Sequence, residues 1–366
     1  MPEQRDISDA LNFLATNSEA VILQVVDRQC AEWPQQAGSA QRDVRSRCVE
    51  DNRFHMHYLS AAVSAEDPTI FSEYCGWAKV VLQKRGIAVS HLEQNLRYLE
   101  DMVLKTAPER VADVIVGYLD IALRHLPEYP DEPAPIVVSE SRGPLVKQYV
   151  EKIIALDAAG AARLIESRVT DAHSVLDLYV NVLQPAQREI GRLWQVNAIS
   201  VAAEHYASAT TQKILNRLSS VIPPRAKRNA RFAGLCPEGE HHCLGLQMVC
   251  DLSQLDGWET YFIGANTPTN SGVQLLKQLQ PAVVGVSMTT LMALHNTRAL
   301  ITKVKEALPD TVVLAGGYAA SLGKDIWKTF GADAYAADGE SALATLNQIL
   351  AGRKAAAGSR GNPRAG

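Results

Sequence analysis

The chain has 366 residues, which is long enough for two or three domains with separate cores. Its formal charge of -4 and its pI near 6.2 argue against a nucleic-acid-binding surface, so no nucleic-acid partner is expected. No apolar run reaches membrane-spanning length and the N-terminus has no apolar signal core. The six cysteines form no CxxC pair. These features predict a cytoplasmic protein with no membrane partner.

Residues 1–126 predict an all-α domain of about five helices, because apolar residues recur at three- and four-residue spacing. Within it, Asp67-Pro68 marks the start of one helix and Gly86 its end. A linker is predicted over 127–143, because the prolines clustered at its start disfavour a helix.

Residues 144–222 contain four amphipathic segments with short joins, which predict a four-helix bundle. Residues 230–351 change to short apolar runs separated by helical stretches. That pattern predicts a doubly wound, flavodoxin-like α/β domain whose parallel strands are buried on both faces. Ligands of such sheets bind at the carboxyl ends of the strands. Residues 352–366 are small, basic and glycine-rich, and are predicted to be a disordered tail.

The segment after the first predicted strand contains Glu240-x-His242-x-x-Gly245, at the mouth of a helix. A loop histidine can ligate a metal through one ring nitrogen while a carboxylate accepts the other ring N–H. Gly245 lets the backbone approach a bulky group. Taken alone, this spacing is more often an ordinary surface loop.

The motif resembles the D-x-H-x-x-G signature of cobalamin-binding domains, with Glu240 in place of the usual aspartate. The resemblance implies that His242 ligates cobalt from below, in place of the cofactor's own base. It also implies that small or polar residues at the later strand ends line the nucleotide tail of the cofactor, namely Ser287, Thr289, Gly316 and Gly317.

In the predicted bundle, Trp194 is followed after nine residues by Glu204-His205. This spacing resembles the W-x9-EH motif of the CarH/LitR-type light sensors, which bind 5′-deoxyadenosylcobalamin. The resemblance implies that Trp194 and Glu204 shelter the adenosyl group, with His205 beside them. In those sensors a histidine commonly follows the tryptophan and captures cobalt after photolysis, whereas this chain has Gln195. His205 is either its substitute or an ordinary polar residue of the bundle.

The N-terminal region has no helix-turn-helix pattern, but it has aromatic, histidine and arginine residues on otherwise apolar helices. In this it resembles photocobilins, which join a cobalamin module to a helical, globin-like domain that binds biliverdin. The resemblance predicts a tetrapyrrole site formed by Arg53, His57, Tyr58, Trp77, Arg85 and His91. Haem is the alternative ligand, and a structural domain without a ligand is the other alternative.

Together these patterns predict a light sensor rather than an enzyme. Its cofactor is adenosylcobalamin, whose photolysis changes domain packing or oligomeric state, and the expected partner is a second copy of the chain in a light-dependent homo-oligomer. Biliverdin is the predicted second chromophore. The rival function is that of a corrinoid methyl-carrier protein of a cobalamin-dependent methyltransferase.

Overall fold

The computed structural model describes residues 4–32, 39–221, 225–322 and 326–360. The chain divides into two compact units. The first comprises residues 1–134 with 195–198, and the second comprises 135–194 with 199–366. Residues 222–224, where the predicted bundle ends, lie outside the described residues.

In the described part of the first unit, five helices form an all-α core, as the apolar spacing predicts. Asp67 caps the third helix by accepting a hydrogen bond from the backbone N–H of Thr69, and Pro68 occupies its first turn. The helices are α1 (Gln4–Glu32), α2 (Ser39–Ser64), α3 (Pro68–Gln83), α4 (Val89–Thr106) and α5 (Glu109–His125).

The start of the predicted linker is held against α3. A Cβ atom added at Gly76 would lie 2.1 Å from the ring of Tyr129, so the two residues are in close contact. The buried Lys79 ammonium donates to the Tyr129 carbonyl oxygen at 2.6 Å and pairs with Asp131 at 3.0 Å. This part of the linker therefore belongs to the packed surface of the first unit.

The second unit begins with the segment called here the middle helices: α6 (Gly143–Ile154), α7 (Ala158–Glu166), α8 (Ala172–Leu178), α9 (Gln184–Gln195) and α10 (Val201–Val221). A π-helical turn, Tyr179–Leu183, joins α8 to α9. The four predicted amphipathic segments are thus all helical, and α8 and α9 belong to one continuous stretch. Their apolar faces share one buried core.

The α/β domain follows, with five parallel strands in the order β2-β1-β3-β4-β5, which confirms the predicted parallel sheet. The strands are β1 (Arg231–Pro237), β2 (Glu259–Thr267), β3 (Val283–Ser287), β4 (Val312–Gly316) and β5 (Ala334–Ala336). The helices are α11 (Leu244–Leu255), α12 (Thr269–Leu279), α13 (Leu294–Ala307), α14 (Ile326–Thr329) and α15 (Gly339–Arg360).

The C-terminal segment differs from its prediction. Helix α15 continues to Arg360, so the described part of the segment predicted as disordered from residue 352 is helical, and residues 361–366 lie outside the description. In the ranges that the structure covers, no helix combines the length and the apolarity needed to cross a membrane.

Helix α11 takes part in two cores at once. Met248, Leu252 and Leu255 pack with the middle helices, whereas Leu246 and Cys250 pack under the sheet. The helix therefore fixes the position of the α/β domain relative to the middle helices within the second unit.

The loop after β4 requires glycine at position 317 because of its backbone conformation. Gly317 has φ +91°, and a Cβ atom there would lie 2.3 Å from the Met288 carbonyl oxygen. At Gly316 the nearest atom is the Ala336 carbonyl oxygen, at 3.4 Å, and no unusual φ is present. Both glycines were predicted to line a groove for the nucleotide tail of the cofactor. The backbone geometry alone accounts for glycine at position 317.

We therefore expect Gly317→Ala to lower the free energy of unfolding by about 2–4 kcal/mol, because it combines backbone strain with a steric clash. Gly316→Ala is the matched control and should cost less than about 1 kcal/mol. Urea unfolding of the ligand-free protein measures both values. Equal effects of the two substitutions would contradict this explanation.

Candidate functional site

The candidate site lies at the carboxyl end of the sheet, between β1 and β3. These strands are neighbours, but the connection from β1 goes outward to β2 and the chain returns to β3 on the other side. In doubly wound sheets such a reversal leaves a crevice in which ligands bind. The loop after β1 carries Glu240 and His242, and the loop after β3 carries Thr289 and Thr290.

The Glu240 carboxylate joins these two loops, and the side chain is fully buried. Its Oε1 accepts hydrogen bonds from the backbone N–H of His242 at 2.8 Å and from the ring Nδ1 of His242 at 2.7 Å. Its Oε2 accepts from the backbone N–H groups of Thr289 and Thr290, both at 2.7 Å, and from the Thr290 hydroxyl at 3.3 Å. A buried carboxylate with so many donors is well satisfied and rigidly placed.

These contacts determine the protonation of both residues. Burial alone raises the pKa of Glu240, but the hydrogen bonds from the His242 ring and from the backbone N–H groups outweigh it, so the net pKa is lowered. The hydrogen bond to Glu240 raises the pKa of His242, while burial opposes the rise. Glu240 is therefore an ionised acceptor, and His242 uses Nδ1 to bind it.

The remaining ring nitrogen of His242, Nε2, is the one left for a ligand. The His242 side chain is 59% exposed although its partner carboxylate is completely covered. A carboxylate that holds Nδ1 fixes the tautomer and makes the other nitrogen a better metal ligand. The arrangement thus presents an oriented imidazole ring whose Nε2 can bind a ligand.

The middle helices contribute Glu204 to the same region. Its negative charge is among the causes that raise the pKa of His242, so its carboxylate lies within electrostatic reach of that ring. Glu204 also accepts hydrogen bonds from the His205 ring at 2.7 Å and from the Ser208 hydroxyl at 2.8 Å. Trp194 is half-buried in the last turn of α9, before the connection to α10.

The predicted residues with small side chains have different surroundings. Gly245, in the first turn of α11, is exposed, and a Cβ atom there would meet nothing within 4 Å. Packing within the described protein thus leaves open space at this position, beside the His242 loop. Ser287 is buried at the end of β3, where its backbone pairs with Gly316 of β4. Thr289 contributes its backbone N–H to Glu240.

The six tetrapyrrole candidates of the first unit do not form one cluster. Arg53 is exposed and pairs with Glu19, and His57 is exposed and bonds the Arg53 carbonyl oxygen. Arg85 is exposed and donates to the Val81 carbonyl oxygen. Half-buried side chains are found at Tyr58, Trp77 and His91.

Sequence reasoning missed the aromatic centre of this unit. The ring of Tyr74 stacks on that of Tyr58, with centroids 3.8 Å apart, and lies 6.2 Å from that of Trp77. The buried His55 hydrogen-bonds the Tyr74 hydroxyl at 2.8 Å, and burial lowers the pKa of His55 to about 4. The spacing of His55 and Tyr58 on α2 was visible in the sequence, but the contact with α3 was not.

Comparisons with known proteins agree with the site. Residues 230–347 match the B12 binding domain, and residues 145–219 match a second B12 binding domain family. The HTH-type transcriptional repressor CarA of Myxococcus xanthus is 27% identical over 208 residues, which span 56% of this chain and 68% of the repressor. Dimethylamine corrinoid protein 2 of Methanosarcina mazei is 30% identical over 213 residues, which span 56% of this chain and 97% of that protein.

Among solved structures, the monomethylamine corrinoid protein of Methanosarcina barkeri is similar with a TM-score of 0.48 and 16% identity, over 56% of this chain and 99% of that one. The two matched regions coincide with the middle helices and the α/β domain. The chain belongs to the B12-binding family that includes the corrinoid proteins.

Proposed function

We propose that the protein is a cytoplasmic light sensor that binds 5′-deoxyadenosylcobalamin base-off, with His242 as the lower axial ligand of cobalt. The observation that carries this proposal is the Glu240–His242 pair. Its ring is fixed through Nδ1, its Nε2 remains available, and it lies in the β1/β3 crevice with Glu204 of the middle helices nearby.

The residues present fit a corrinoid in two respects. An axial ligand to cobalt is a neutral nitrogen donor, and His242 offers Nε2 while an ionised partner holds its Nδ1. The open space at Gly245 leaves room for a large group beside that nitrogen. Adenosylcobalamin, when bound, supplies a cobalt–carbon bond that light breaks.

On the opposite side, Trp194 and Glu204 are proposed to shelter the adenosyl group. An indole ring offers a broad stacking surface, and a carboxylate accepts hydrogen bonds from hydroxyl or amino groups. Loss of the adenosyl group removes these contacts. It thereby shifts the packing of the middle helices, or the assembly of copies of the chain, toward a second state.

The alternative is a corrinoid methyl-carrier protein. It is favoured by the relative at 30% identity, dimethylamine corrinoid protein 2, which this chain spans almost completely. The W-x9-EH spacing has no role in that alternative. Size-exclusion chromatography of the adenosylcobalamin-loaded protein before and after green light distinguishes the two, since a methyl carrier needs no light-dependent change in assembly.

A second chromophore in the first unit is part of the proposal. We propose that the half-buried rings of Tyr58 and Trp77, with the buried Tyr74 ring packed against them, contact a flat tetrapyrrole such as biliverdin. Arg53 and Arg85, which were expected to bind its carboxylates, are exposed.

His242→Ala is expected to abolish base-off binding of cobalamin or to weaken it severely, because it removes the proposed axial nitrogen. Glu240→Ala should weaken retention by roughly 10–100-fold, which is typical for loss of a residue that orients a metal ligand. Absorption titration with adenosylcobalamin in darkness measures both. The adjacent exposed His241→Ala is the control, and a wild-type spectrum from the His242 variant would exclude the assignment.

Trp194→Ala should keep cobalamin, because the lower ligand is untouched, but lose the preference for the adenosyl over the hydroxo form. The light-induced change in mass seen by size-exclusion chromatography should shrink or disappear. Trp327→Ala, which alters a half-buried tryptophan in α14, is the matched control. Wild-type behaviour of the Trp194 variant in both assays would favour the methyl carrier.

Co-expression with a haem oxygenase should yield a red-absorbing species that co-purifies with the chain. Trp77→Ala should reduce this species while leaving cobalamin binding intact, because the two sites are assigned to different units. Absorption spectra of the purified variants provide the measurement. A full-length protein that takes up neither biliverdin nor haem would exclude the second chromophore.

A further inference from the structure

One of the side chains that join the middle helices to α11 is a half-buried acid, Asp251. Asp251 lies between the α11 residues that pack with the middle helices and those that pack under the sheet. Its Oδ2 accepts a hydrogen bond of 3.0 Å from the hydroxyl of Tyr179, which is completely buried. The carboxyl group therefore lies at the junction of the two cores.

Tyr179 begins the π-helical turn between α8 and α9. Such turns interrupt the regular helical hydrogen-bond ladder and are frequent at functional positions. The Tyr179 hydroxyl is also 3.4 Å from the carbonyl oxygen of Leu215 on α10. One hydroxyl thus has acceptors on two different helices, and it can donate to only one of them at a time.

The groups that face Asp251 offer it no positive charge. Tyr179 of the π-helical turn donates to Asp251, the Leu215 carbonyl of α10 contacts that same hydroxyl, and Cys250 is the neighbour of Asp251 on α11. Asp338 precedes Gly339 of α15, which touches Leu252. Among the described residues, no ion pair involves Asp251. Burial raises the pKa of Asp251 to about 7, against a smaller opposing contribution from the Tyr179 hydrogen bond.

The two charge states connect the helices differently. A neutral Asp251 can donate to the Tyr179 oxygen while Tyr179 donates to the Leu215 carbonyl, so the hydrogen bonds run from α11 through Tyr179 to α10. An ionised Asp251 can only accept, so the Tyr179 hydroxyl donates to it and the Leu215 carbonyl oxygen loses that donor. Ionisation also leaves a negative charge in largely apolar surroundings. Since the folded-state pKa is raised, the stabilising contribution is complete in acid and is lost as pH rises through about 7.

We propose that Asp251 and Tyr179 are a positioning pair that holds the middle helices over the cobalamin site, and that ionisation of Asp251 draws the Tyr179 hydroxyl away from Leu215 of α10 and weakens retention of the cofactor. Asp251 acts through α11, whose first turn directly follows the His242 loop. The inference rests on the proposed cobalamin site, although the contact itself exists without a cofactor.

The test uses the full chain and adenosylcobalamin in darkness, with the dissociation constant measured by absorption from pH 6 to pH 9. For the wild type we expect affinity to fall roughly 5- to 10-fold between pH 7 and pH 9, following the ionisation of one group. Asp251→Asn keeps an acceptor for Tyr179 but cannot ionise, so its affinity should stay constant over this interval. Asp177→Asn, two residues before Tyr179 on the adjoining α8, should behave like the wild type.

A second measurement separates this inference from the proposed function. The unfolding midpoint of the ligand-free protein should fall from pH 6 to pH 9 in the wild type, and this fall should be absent or much smaller in Asp251→Asn. Tyr179→Phe should keep the fall, because the hydrogen bond that it removes opposes the rise in the pKa of Asp251. If no variant binds cobalamin but this pattern appears, the proposed function is wrong and the proton-sensitive contact stands. If Asp251→Asn shows the full alkaline decline of the wild type in both measurements, the positioning pair is excluded.

Discussion

The Glu240 carboxylate is the interaction on which the geometry of the site depends. It has no contact with solvent, yet it remains an acceptor because N–H groups from two loops converge on it. One oxygen fixes His242, and the other fixes the backbone at Thr289 and Thr290. The ring of a prospective axial ligand is therefore oriented by the same group that closes the β1/β3 crevice. The two loops depend on each other, because each donates hydrogen bonds to one of the two oxygens of the buried Glu240 carboxylate.

Helix α11 extends this dependence to the rest of the second unit. The helix starts just after the His242 loop and takes part in the core of the middle helices and in the core of the α/β domain. Additional side-chain contacts pair Gln247 of α11 with Gln212 and Asn216 of α10. Helix α11 is therefore one element through which a change in either layer can reach the other.

Local patterns predicted the parts of the molecule that local physics determines. The strands could be predicted because short, continuously apolar runs are typical of strands buried on both faces. The Glu240–His242 contact could be predicted because the two residues are only two positions apart. The contacts of Thr290 with Glu240 and of Tyr179 with Asp251 join residues far apart in the chain, which one sequence cannot reveal. In the first unit, an apolar helical pattern does not distinguish the buried His55 from exposed histidines.

Glu240, in a loop, and Asp251, in a helix, show how one fold shifts the pKa values of two acids in opposite directions. Glu240 and Asp251 are both withdrawn from solvent to a large extent, and burial alone raises the pKa of each. Glu240 ends with a lowered pKa because several N–H groups donate to it, whereas Asp251 has a single hydroxyl donor and its pKa rises to about 7. The number of donors thus decides which acid is ionised and orients the His242 ring. It also decides which acid can change its charge near neutral pH, at the contact that holds the middle helices.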